Sequence, residues 1–420
     1  MTFQQPTQRG ECERMDQLDP LAEFRDRFSL PDGVIYLDGN SLGAMPAGAA
    51  QSIGEVVSAQ WGSGLIRSWN RAGWVHWPRE LGAGIARLVG AQDDEVIVAD
   101  STSVNLFKLA AGALALAQQR SPGRRVILSE EGNFPTDLYV AQGIAKTAAG
   151  GCEVRLVGEG KLAEAFRDDV ALALVTQVDY RSGRLHDMAQ LNARARQAGV
   201  QIVWDLSHSA GALPLHLGRD GAQLAVGCGY KYLNGGPGAP AFAYVAKPLQ
   251  ADFPMPLAGW FGHSNPFAFA QQFLPAAGIE RFQCGTPPIL SLAGLRCGLA
   301  TFDGVDLQLV RAKSLALSAL FLHLVEAQCA GMGFRCISPR DPDARGSQLS
   351  FAHPHAWPIM QAIIDRGVIG DFRQPDLLRF GFTPLYQRYT DIWDAVAILR
   401  EVMLSSAWDD ARYRARNIVT

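Results

Sequence analysis

The 420-residue sequence lacks the features that mark membrane, secreted and nucleic-acid-binding proteins. No stretch reaches the ~18 uninterrupted apolar residues of a membrane helix, and the N-terminal region lacks the apolar core of a signal peptide. The net charge is −3, and no basic run is present, so the chain has no general attraction for nucleic acid or an acidic membrane. We therefore expect no nucleic-acid partner and no membrane.

Paired cysteines and a dinucleotide-binding fingerprint are also missing. The seven cysteines form an odd set without a C-x-x-C pair, which argues against a disulfide framework and against a zinc site. Reduced thiols of this kind predict a cytoplasmic protein. No G-x-G-x-x-G joins a first strand to a helix with an acidic residue ~20 positions later, which argues against a nicotinamide-dependent enzyme.

The middle of the chain alternates short apolar runs with longer amphipathic ones. Strands that are apolar throughout, separated by helices, predict an α/β fold with a mostly parallel central sheet and helices on both faces. The predicted strands are 95–99, 125–128, 154–157, 171–175, 201–204, 224–226 and 241–245, and the predicted helices are 104–119, 138–148, 188–197 and one starting near 291.

Three segments are expected in the domain organisation. Residues 61–300 form a large domain that contains the sheet, and residues 301–420 form a smaller α+β C-terminal domain. The N-terminal segment 1–60 is expected to cross back and join the smaller domain.

Lys231 and Asp205 carry the strongest chemical signal. Lys231 lies in the glycine-rich run 229–238, and Asp205 directly follows the apolar strand 201–204. A lysine amine can form a Schiff base with pyridoxal 5'-phosphate, and a carboxylate at a strand end can keep the pyridine nitrogen protonated. A lone Asp at this place could instead cap a helix that starts at Ser207. The lysine downstream is what favours the cofactor.

Further polar and aromatic residues follow the predicted strands, where ligands collect in open α/β sheets. Thr102 and Ser103 precede the helix predicted to open at Val104, and their hydroxyl and N–H groups could bind a phosphate. Ordinary helix capping gives the same pattern. Phe134 could lie on the pyridine ring and Asp137 could meet a ring or hydroxyl group, although a Phe here is more often part of the core.

Three more residues complete the candidate set. Thr176 ends the strand 171–175, and His208 lies one turn beyond Asp205, so both are expected in one crevice, although a lone His is usually structural. Arg379 is bracketed by apolar residues, and its planar guanidinium suits a substrate α-carboxylate. The alternative for Arg379 is a buried structural ion pair.

Taken together, these segments resemble the kynureninase family, a group of fold-type I pyridoxal-phosphate enzymes close to the class V aminotransferases. The resemblance extends from about Ile35 to Tyr386. The Gly-Asn-Ser-Leu-Gly run at 39–43 and the Tyr-Lys-Tyr-Leu-Asn-Gly-Gly-Pro-Gly run at 230–238 are specific to the family, whereas the Asp-x-x-His pattern is shared more widely. The other matching segments are 102–106, 133–137, 204–211, 259–263 and 285–290.

The resemblance implies a role for each candidate residue. Lys231 forms the Schiff base and Asp205 pairs with the pyridinium nitrogen. The other cofactor-binding residues are Thr102, Ser103 and Tyr230 at the phosphate, Phe134 stacked on the ring, Asp137, Thr176 and His208 beside it, and Trp260 and Thr286, which reach the phosphate from the neighbouring subunit of a homodimer. Arg379 binds the substrate α-carboxylate, with Asn40, Ser41 and Trp69 at the amino-acid and aryl ends.

The implied activity is the hydrolytic cleavage of the Cβ–Cγ bond of L-kynurenine to anthranilate and L-alanine in tryptophan catabolism. Whether 3-hydroxy-L-kynurenine is also a substrate stays open. Hydration of the γ-carbonyl needs a proton relay, and Tyr230 with the cofactor phosphate is the hypothesis for it.

Competing enzymes share the fold and the lysine. A cysteine desulfurase or selenocysteine lyase needs a nucleophilic cysteine shortly before the arginine, and the segment 368–375 has none. An aminotransferase uses the same Lys–Asp pair and stays open as an alternative. A non-catalytic domain of this fold would be marked by loss of the lysine, which is present.

Overall fold

The computed structural model describes residues 5–148 and 150–416. Within them the chain forms two compact units: a small unit from Met1–Gly48, Tyr180–Leu185 and Ala300–Thr420, as far as these are described, and a large unit from Ala49–Asp179 and His186–Leu299. The units differ from the predicted bounds 1–60, 61–300 and 301–420 at residues 49–60, 180–185 and 300. The ends 1–4 and 417–420 of the predicted domains lie outside the described residues.

The large unit contains a seven-stranded sheet. Phe242–Val245 runs antiparallel to both of its neighbours, and the remaining adjacent pairs are parallel, which confirms the mostly parallel sheet. The strands lie in the spatial order Val96–Val98, Phe242–Val245, Leu224–Gly227, Gln201–Asp205, Val170–Thr176, Val126–Glu130, Glu153–Val157.

The inner strands are buried along their whole length, which is why the sequence shows them as continuous apolar runs rather than as alternating ones. All seven residues of Val170–Thr176 are buried, for example. The helix Thr102–Arg120 packs on the sheet, where Leu109, Leu172 and Val203 share one hydrophobic cluster. The α-helices of this part are Ala49–Glu55, Ser68–Arg71, Trp77–Val89, Thr102–Arg120, Pro135–Thr147, Leu162–Ala165, Met188–Gln197, Lys247–Gln250 and Ile289–Ala300.

Two helices begin earlier than the sequence predicted. The first starts at Thr102 rather than Val104, because Ser101 is the N-cap and accepts a hydrogen bond from Val104 N at 3.4 Å. The second starts at Pro135 rather than Leu138, because proline is well suited to the first helical position. Thr102 and Ser103 therefore lie inside the first helical turn, where backbone N–H groups have no acceptor within the helix.

The small unit is an α+β domain with a four-stranded antiparallel sheet. Its strands lie in the order Arg335–Cys336, Gln348–Ala352, Leu377–Gly381, Asp371–Arg373, and its helices are Arg9–Gln17, Leu307–Gln328, Ala356–Ile364 and Tyr389–Leu404. Two further strand pairs are Phe28–Ser29 with Met45–Pro46, antiparallel, and Ile35–Tyr36 with Val368–Ile369, parallel.

The helix Leu307–Gln328 has the length and apolar composition of a membrane span. Its buried side chains, among them Leu317 and Phe321, belong to the hydrophobic cluster of the small unit together with Phe351 and Phe380. Its apolar character is therefore accounted for by the core that it helps to form.

Candidate active site

Lys231 lies on a tight turn that follows the strand Leu224–Gly227. Asn234 N donates to Lys231 O at 2.9 Å, and the backbone of Asn234 has a φ of 57°, in the left-handed region. Gly235 N donates to Gly229 O at 2.9 Å, and a Cβ on Gly235 would lie only 2.7 Å from the same oxygen. The turn therefore needs glycine at position 235, and it holds the lysine backbone in one place.

The lysine amine lies beside an imidazole and two aromatic rings. Lys231 Nζ is 2.9 Å from His208 Nε2, and it lies 5.8 Å from the centroids of the Phe134 and Tyr230 rings. The structure thus brings together four of the predicted site residues. His208 therefore lies beside the lysine amine, within hydrogen-bond distance of it.

Asp205 and Thr176 lie side by side at the carboxyl ends of adjacent parallel strands. They are direct partners in the register of Val170–Thr176 with Gln201–Asp205. Asp205 is buried, and its Oδ1 accepts from Ser207 N at 2.8 Å. The residues after Asp205 form turns rather than a helix, so the helix-cap interpretation is wrong.

Asp137 forms a buried carboxyl group in the same region. Thr176 Oγ1 and Asn133 Nδ2 both donate to Asp137 Oδ2 at 3.0 Å, and Asn133 Oδ1 accepts from Thr176 N at 2.9 Å. Burial, and then the nearby Asp205 carboxylate, hold the pKa of Asp137 well above its usual value. Burial thus favours the neutral form of the Asp137 carboxyl group, and the pairing of Asp205 with a pyridinium nitrogen stays a prediction.

An ion pair between a buried lysine and a partly exposed carboxylate supports the first turn of the helix that carries Thr102 and Ser103. Lys108 Nζ is fully buried, lies 2.7 Å from Asp100 Oδ2, and also donates to Phe282 O. The sequence reasoning missed Lys108 and Asn133. Two sequence features could have pointed to them. Lys108 is the single cation in a predicted helix rich in Ala and Leu, and Asn133 is an amide three residues after the end of a strand.

The remaining large-unit candidates are more exposed. Trp69 packs edge-on against Trp74, with ring centroids 5.8 Å apart, and lies 5.7 Å from Phe261. Trp260 is 37% exposed and Thr286 is also exposed. Their assignment to the phosphate of a neighbouring subunit stays a prediction.

The predicted substrate-binding residues Arg379, Ser41 and Asn40 lie in the small unit. Arg379 Nε donates to Asp371 Oδ1 at 2.8 Å, and its Nη2 donates to Ser41 Oγ at 2.9 Å. Asn40 is buried, with Nδ2 3.4 Å from Gln348 Oε1. The ion pair that the sequence left as an alternative for Arg379 is present, and its substrate role stays a prediction.

The large-unit residues fit pyridoxal 5'-phosphate. The site offers an amine on a rigid turn, a buried carboxylate at a strand end, an aromatic ring near the amine, and the N–H groups of a helical first turn. These are the donors and acceptors that the aldehyde, the pyridine nitrogen, the ring face and the phosphate each require.

Thiol chemistry finds less support in the same structure. Burial raises the pKa of six of the seven cysteine thiols, including Cys228, three residues before Lys231. A desulfurase needs a thiolate as nucleophile. At these six cysteines burial therefore disfavours the thiolate.

Solved structures with the same fold include pyridoxal-phosphate enzymes. A cysteine desulfurase of Thermococcus onnurineus is similar with a TM-score of 0.76 and 18% identity, over 91% of this chain and 98% of that one. A C-DES variant with glycine linked to its pyridoxal phosphate cofactor gives a TM-score of 0.76 and 17% identity, over 90% and 99% of the two chains. At such identities the likeness establishes the fold.

Sequence relatives are much closer than the structural neighbours. The model of the kynureninase C-terminal domain matches residues 310–399. A kynureninase of Burkholderia mallei is 52% identical over 98% of this chain and 99% of that protein, and a kynureninase of Pseudomonas fluorescens is 49% identical over 99% and 100%. The chain therefore belongs to the kynureninase family.

Proposed function

We propose that this chain is an enzyme that hydrolyses the Cβ–Cγ bond of L-kynurenine, with pyridoxal 5'-phosphate as cofactor, and releases anthranilate and L-alanine. The observation that carries the proposal is the identity of about half of all residues with kynureninases over nearly the full length. The lysine turn, with Asp205 and His208, supplies the groups that the cofactor requires.

Pyridoxal phosphate, when bound, supplies an electron sink conjugated with the substrate amino group, which weakens bonds at the adjacent carbons. The protein's own residues then have three tasks. Asp205 holds the pyridinium nitrogen in its charged form, His208 orients Lys231 Nζ through their 2.9 Å contact, and Lys231 takes the proton from the substrate Cα.

Water must also be added to the substrate. In the overall reaction one water is consumed, its oxygen ends on the carboxylate of anthranilate, and Cβ gains a proton to become the methyl group of alanine. Tyr230, whose ring lies 5.8 Å from Lys231 Nζ, is the proposed proton relay for the γ-carbonyl. Arg379 is the proposed ligand of the substrate α-carboxylate.

A homodimer with shared sites is part of the proposal. It is supported by exposed apolar side chains on the segment 257–274, a composition typical of protein interfaces. These side chains are Leu257, Trp260, Phe267, Phe269, Phe273 and Leu274. Light scattering on the loaded protein measures the mass, and a monomer would remove this part of the proposal.

A cytoplasmic location and a contribution to NAD biosynthesis are also proposed. Seven unpaired cysteines suit a reducing compartment. Fractionation of the native cell, with activity assayed in each fraction, tests the location.

The test of the activity is direct. Purified, cofactor-loaded protein is mixed with L-kynurenine, with 3-hydroxy-L-kynurenine in a parallel sample, and anthranilate fluorescence is followed. The variant Lys231→Ala should form no anthranilate, whereas Lys146→Ala, which changes an exposed lysine of the same unit, should match the wild type. Transamination of alanine without anthranilate would instead favour an aminotransferase, and full activity of Lys231→Ala would overturn the site.

A further inference from the structure

Arg379 is held by a carboxylate on the neighbouring strand. Arg379 and Asp371 are cross-strand partners in the antiparallel pair Leu377–Gly381 with Asp371–Arg373. Nε and Nη2 of the guanidinium donate to Oδ1 and Oδ2 of Asp371, at 2.8 and 2.5 Å, and Nη1 donates to Tyr180 O at 2.8 Å. Both charged side chains are almost fully buried, at 1% and 3% exposed. The orientation of the guanidinium is therefore fixed before a substrate arrives.

Asp371 has two further polar partners. Arg373 Nη2 lies 2.7 Å from Asp371 Oδ2, and Ser41 Oγ donates to the same oxygen at 2.9 Å. Ser41 Oγ in turn accepts from Arg379 Nη2 at 2.9 Å. Two cations and a hydroxyl therefore surround the Asp371 carboxylate, and the positive charge of the arginines compensates its negative charge.

Asp38 adds a second carboxyl group to this cluster, in a less favourable setting. Its Oδ1 is buried and accepts no hydrogen bond among the described residues. An ionised oxygen in that position loses its hydration without replacement, which costs free energy. A proton on Asp38 removes this cost.

The charged neighbours of Asp38 act in opposite directions. Burial, and then the negative charge of Asp371, raise the pKa of Asp38 to about 7, although Arg379, Ser41 and Arg373 act to lower it. Tyr36, whose own pKa is raised by burial and by both carboxylates, stays neutral, and Tyr180 faces Arg373. Asp38 is therefore the group of the cluster that titrates near neutral pH.

The protonation of Asp38 decides whether the cluster has a net positive charge that can bind a further anion. With Asp38 neutral, Asp371 and the two arginines sum to one positive charge, which a substrate carboxylate neutralises. With Asp38 ionised, the cluster is already neutral, and a bound carboxylate would leave one buried negative charge uncompensated. Uncompensated buried charge is strongly unfavourable.

We infer that Asp38 is a positioning residue for substrate capture: it carries a proton whenever the substrate α-carboxylate occupies Arg379. This inference depends on the proposed function only in assigning Arg379 to that carboxylate. It follows that, when Asp38 is ionised in the free protein, binding of the substrate carboxylate is accompanied by uptake of one proton from solvent. Below about pH 7 the free protein already holds the proton, so affinity is independent of pH. Above pH 7 the dissociation constant should rise towards tenfold per pH unit.

The probe is the desamino analogue of kynurenine, in which hydrogen replaces the α-amino group. It keeps the carboxylate but can neither react with the cofactor aldehyde nor titrate at an ammonium group. Its dissociation constant for the cofactor-loaded protein is measured by calorimetry between pH 6 and 8.5. The wild type should lose about tenfold in affinity or more over this range, whereas Asp38→Asn, which is permanently neutral, should stay within about threefold.

A matched control and a second measurement keep the outcome clear. Asp32→Asn changes an exposed carboxylate of the same unit and should keep the wild-type pH dependence. In the wild type at pH 8, binding heats in two buffers of different ionisation enthalpy should reveal the uptake of close to one proton, without any variant.

Two results would overturn the inference: no proton uptake by the wild type at pH 8, or the same loss of affinity above pH 7 in Asp38→Asn. Both can occur in a protein that still forms anthranilate, in which case the proposed function stands. An inactive protein that nevertheless shows the proton-coupled binding would instead count against the proposed function alone.

Discussion

A methyl group added at Gly298 should displace the lysine turn. Gly298 lies in the helix Ile289–Ala300, and a Cβ there would be 2.3 Å from Leu233 O and 2.5 Å from the carbonyl carbon of Asn234. Ordinary contacts of a Cβ begin near 3.4 Å, so about 1 Å of movement is needed, and the atoms that must move are backbone. Leu233 follows Lys231 by two residues, so the movement reaches the reactive amine.

The magnitude follows from two opposing effects. Alanine is favoured over glycine within a helix by about 1 kcal/mol, and overpacking against fixed backbone costs about 1–3 kcal/mol. We therefore expect Gly298→Ala to lower the free energy of unfolding by up to about 2 kcal/mol. The larger effect is on turnover, because a 1 Å displacement of a catalytic group can reduce the rate by about 100-fold.

Gly143 provides the matched control. It lies within the helix Pro135–Thr147 of the same unit, and a Cβ there would meet no atom within 4 Å. Gly143→Ala should raise the apparent Tm by about 2–4 °C per kcal/mol gained and leave anthranilate formation unchanged. Turnover and Tm are measured for both variants with saturating cofactor. If Gly298→Ala kept wild-type turnover and gained stability as Gly143→Ala does, the proposed contact with the turn would be refuted.

Four further changes are predicted. Tyr230→Phe should slow turnover far more than it weakens cofactor retention, measured by absorbance after dialysis, and an unchanged rate would remove the proton relay. Lys108→Met should lower the free energy of unfolding by at most about 3 kcal/mol, since its partner Asp100 is 25% exposed, and should weaken cofactor binding in a titration. Ser41→Ala should raise the KM for kynurenine about fivefold, the worth of one hydrogen bond, with little change in kcat. The pKa of Asp38 is raised to about 7 in the folded protein, so the wild type loses stability as pH rises from 4 to 7 and this carboxyl group ionises. Asp38→Asn does not ionise, so it should become more stable relative to the wild type over this range, by at most about 4 kcal/mol. A urea midpoint that shows no such divergence would contradict the costly ionisation of Asp38, whose Oδ1 is buried without a hydrogen-bond partner among the described residues.

The sheet could be predicted well because its strands are buried on both faces. A continuous apolar run such as Val170–Thr176 leaves few alternatives once length and flanking turns are considered. Helix starts were less well predicted, because apolar periodicity begins only after the polar first turn. That is why the predictions placed the start at Val104, two residues inside the helix Thr102–Arg120.

The residues around the lysine could be predicted because they follow the ends of adjacent strands. Thr176 and Asp205 are neighbours in the register, and the turn that holds Lys231 follows the next strand. Asn133 and Lys108 could not be assigned in the same way, because their hydrogen-bond partners lie far away in the sequence. Asn133 Oδ1 accepts a hydrogen bond from the N–H group of a residue 43 positions later, and Lys108 Nζ donates to Phe282 O, 174 positions later.

Arg379 shows why a single residue type supports two interpretations: the ion pair with Asp371 is present, and the substrate role stays a prediction. A guanidinium has five N–H donors, and in Arg379 those on Nε and Nη2 bind Asp371 and Ser41 while Nη1 donates to Tyr180 O, so a substrate carboxylate would have to share these donors. The ion pair lowers the entropy that is lost on binding, because the side chain is already oriented. It also cancels the positive charge that would attract an anion. A rigid but neutralised arginine binds a carboxylate well only if its surroundings supply positive charge, and in this cluster the sources are Arg373 and the proton on Asp38. Orientation and charge at the predicted carboxylate site are thus set by different side chains, and substitutions can separate them.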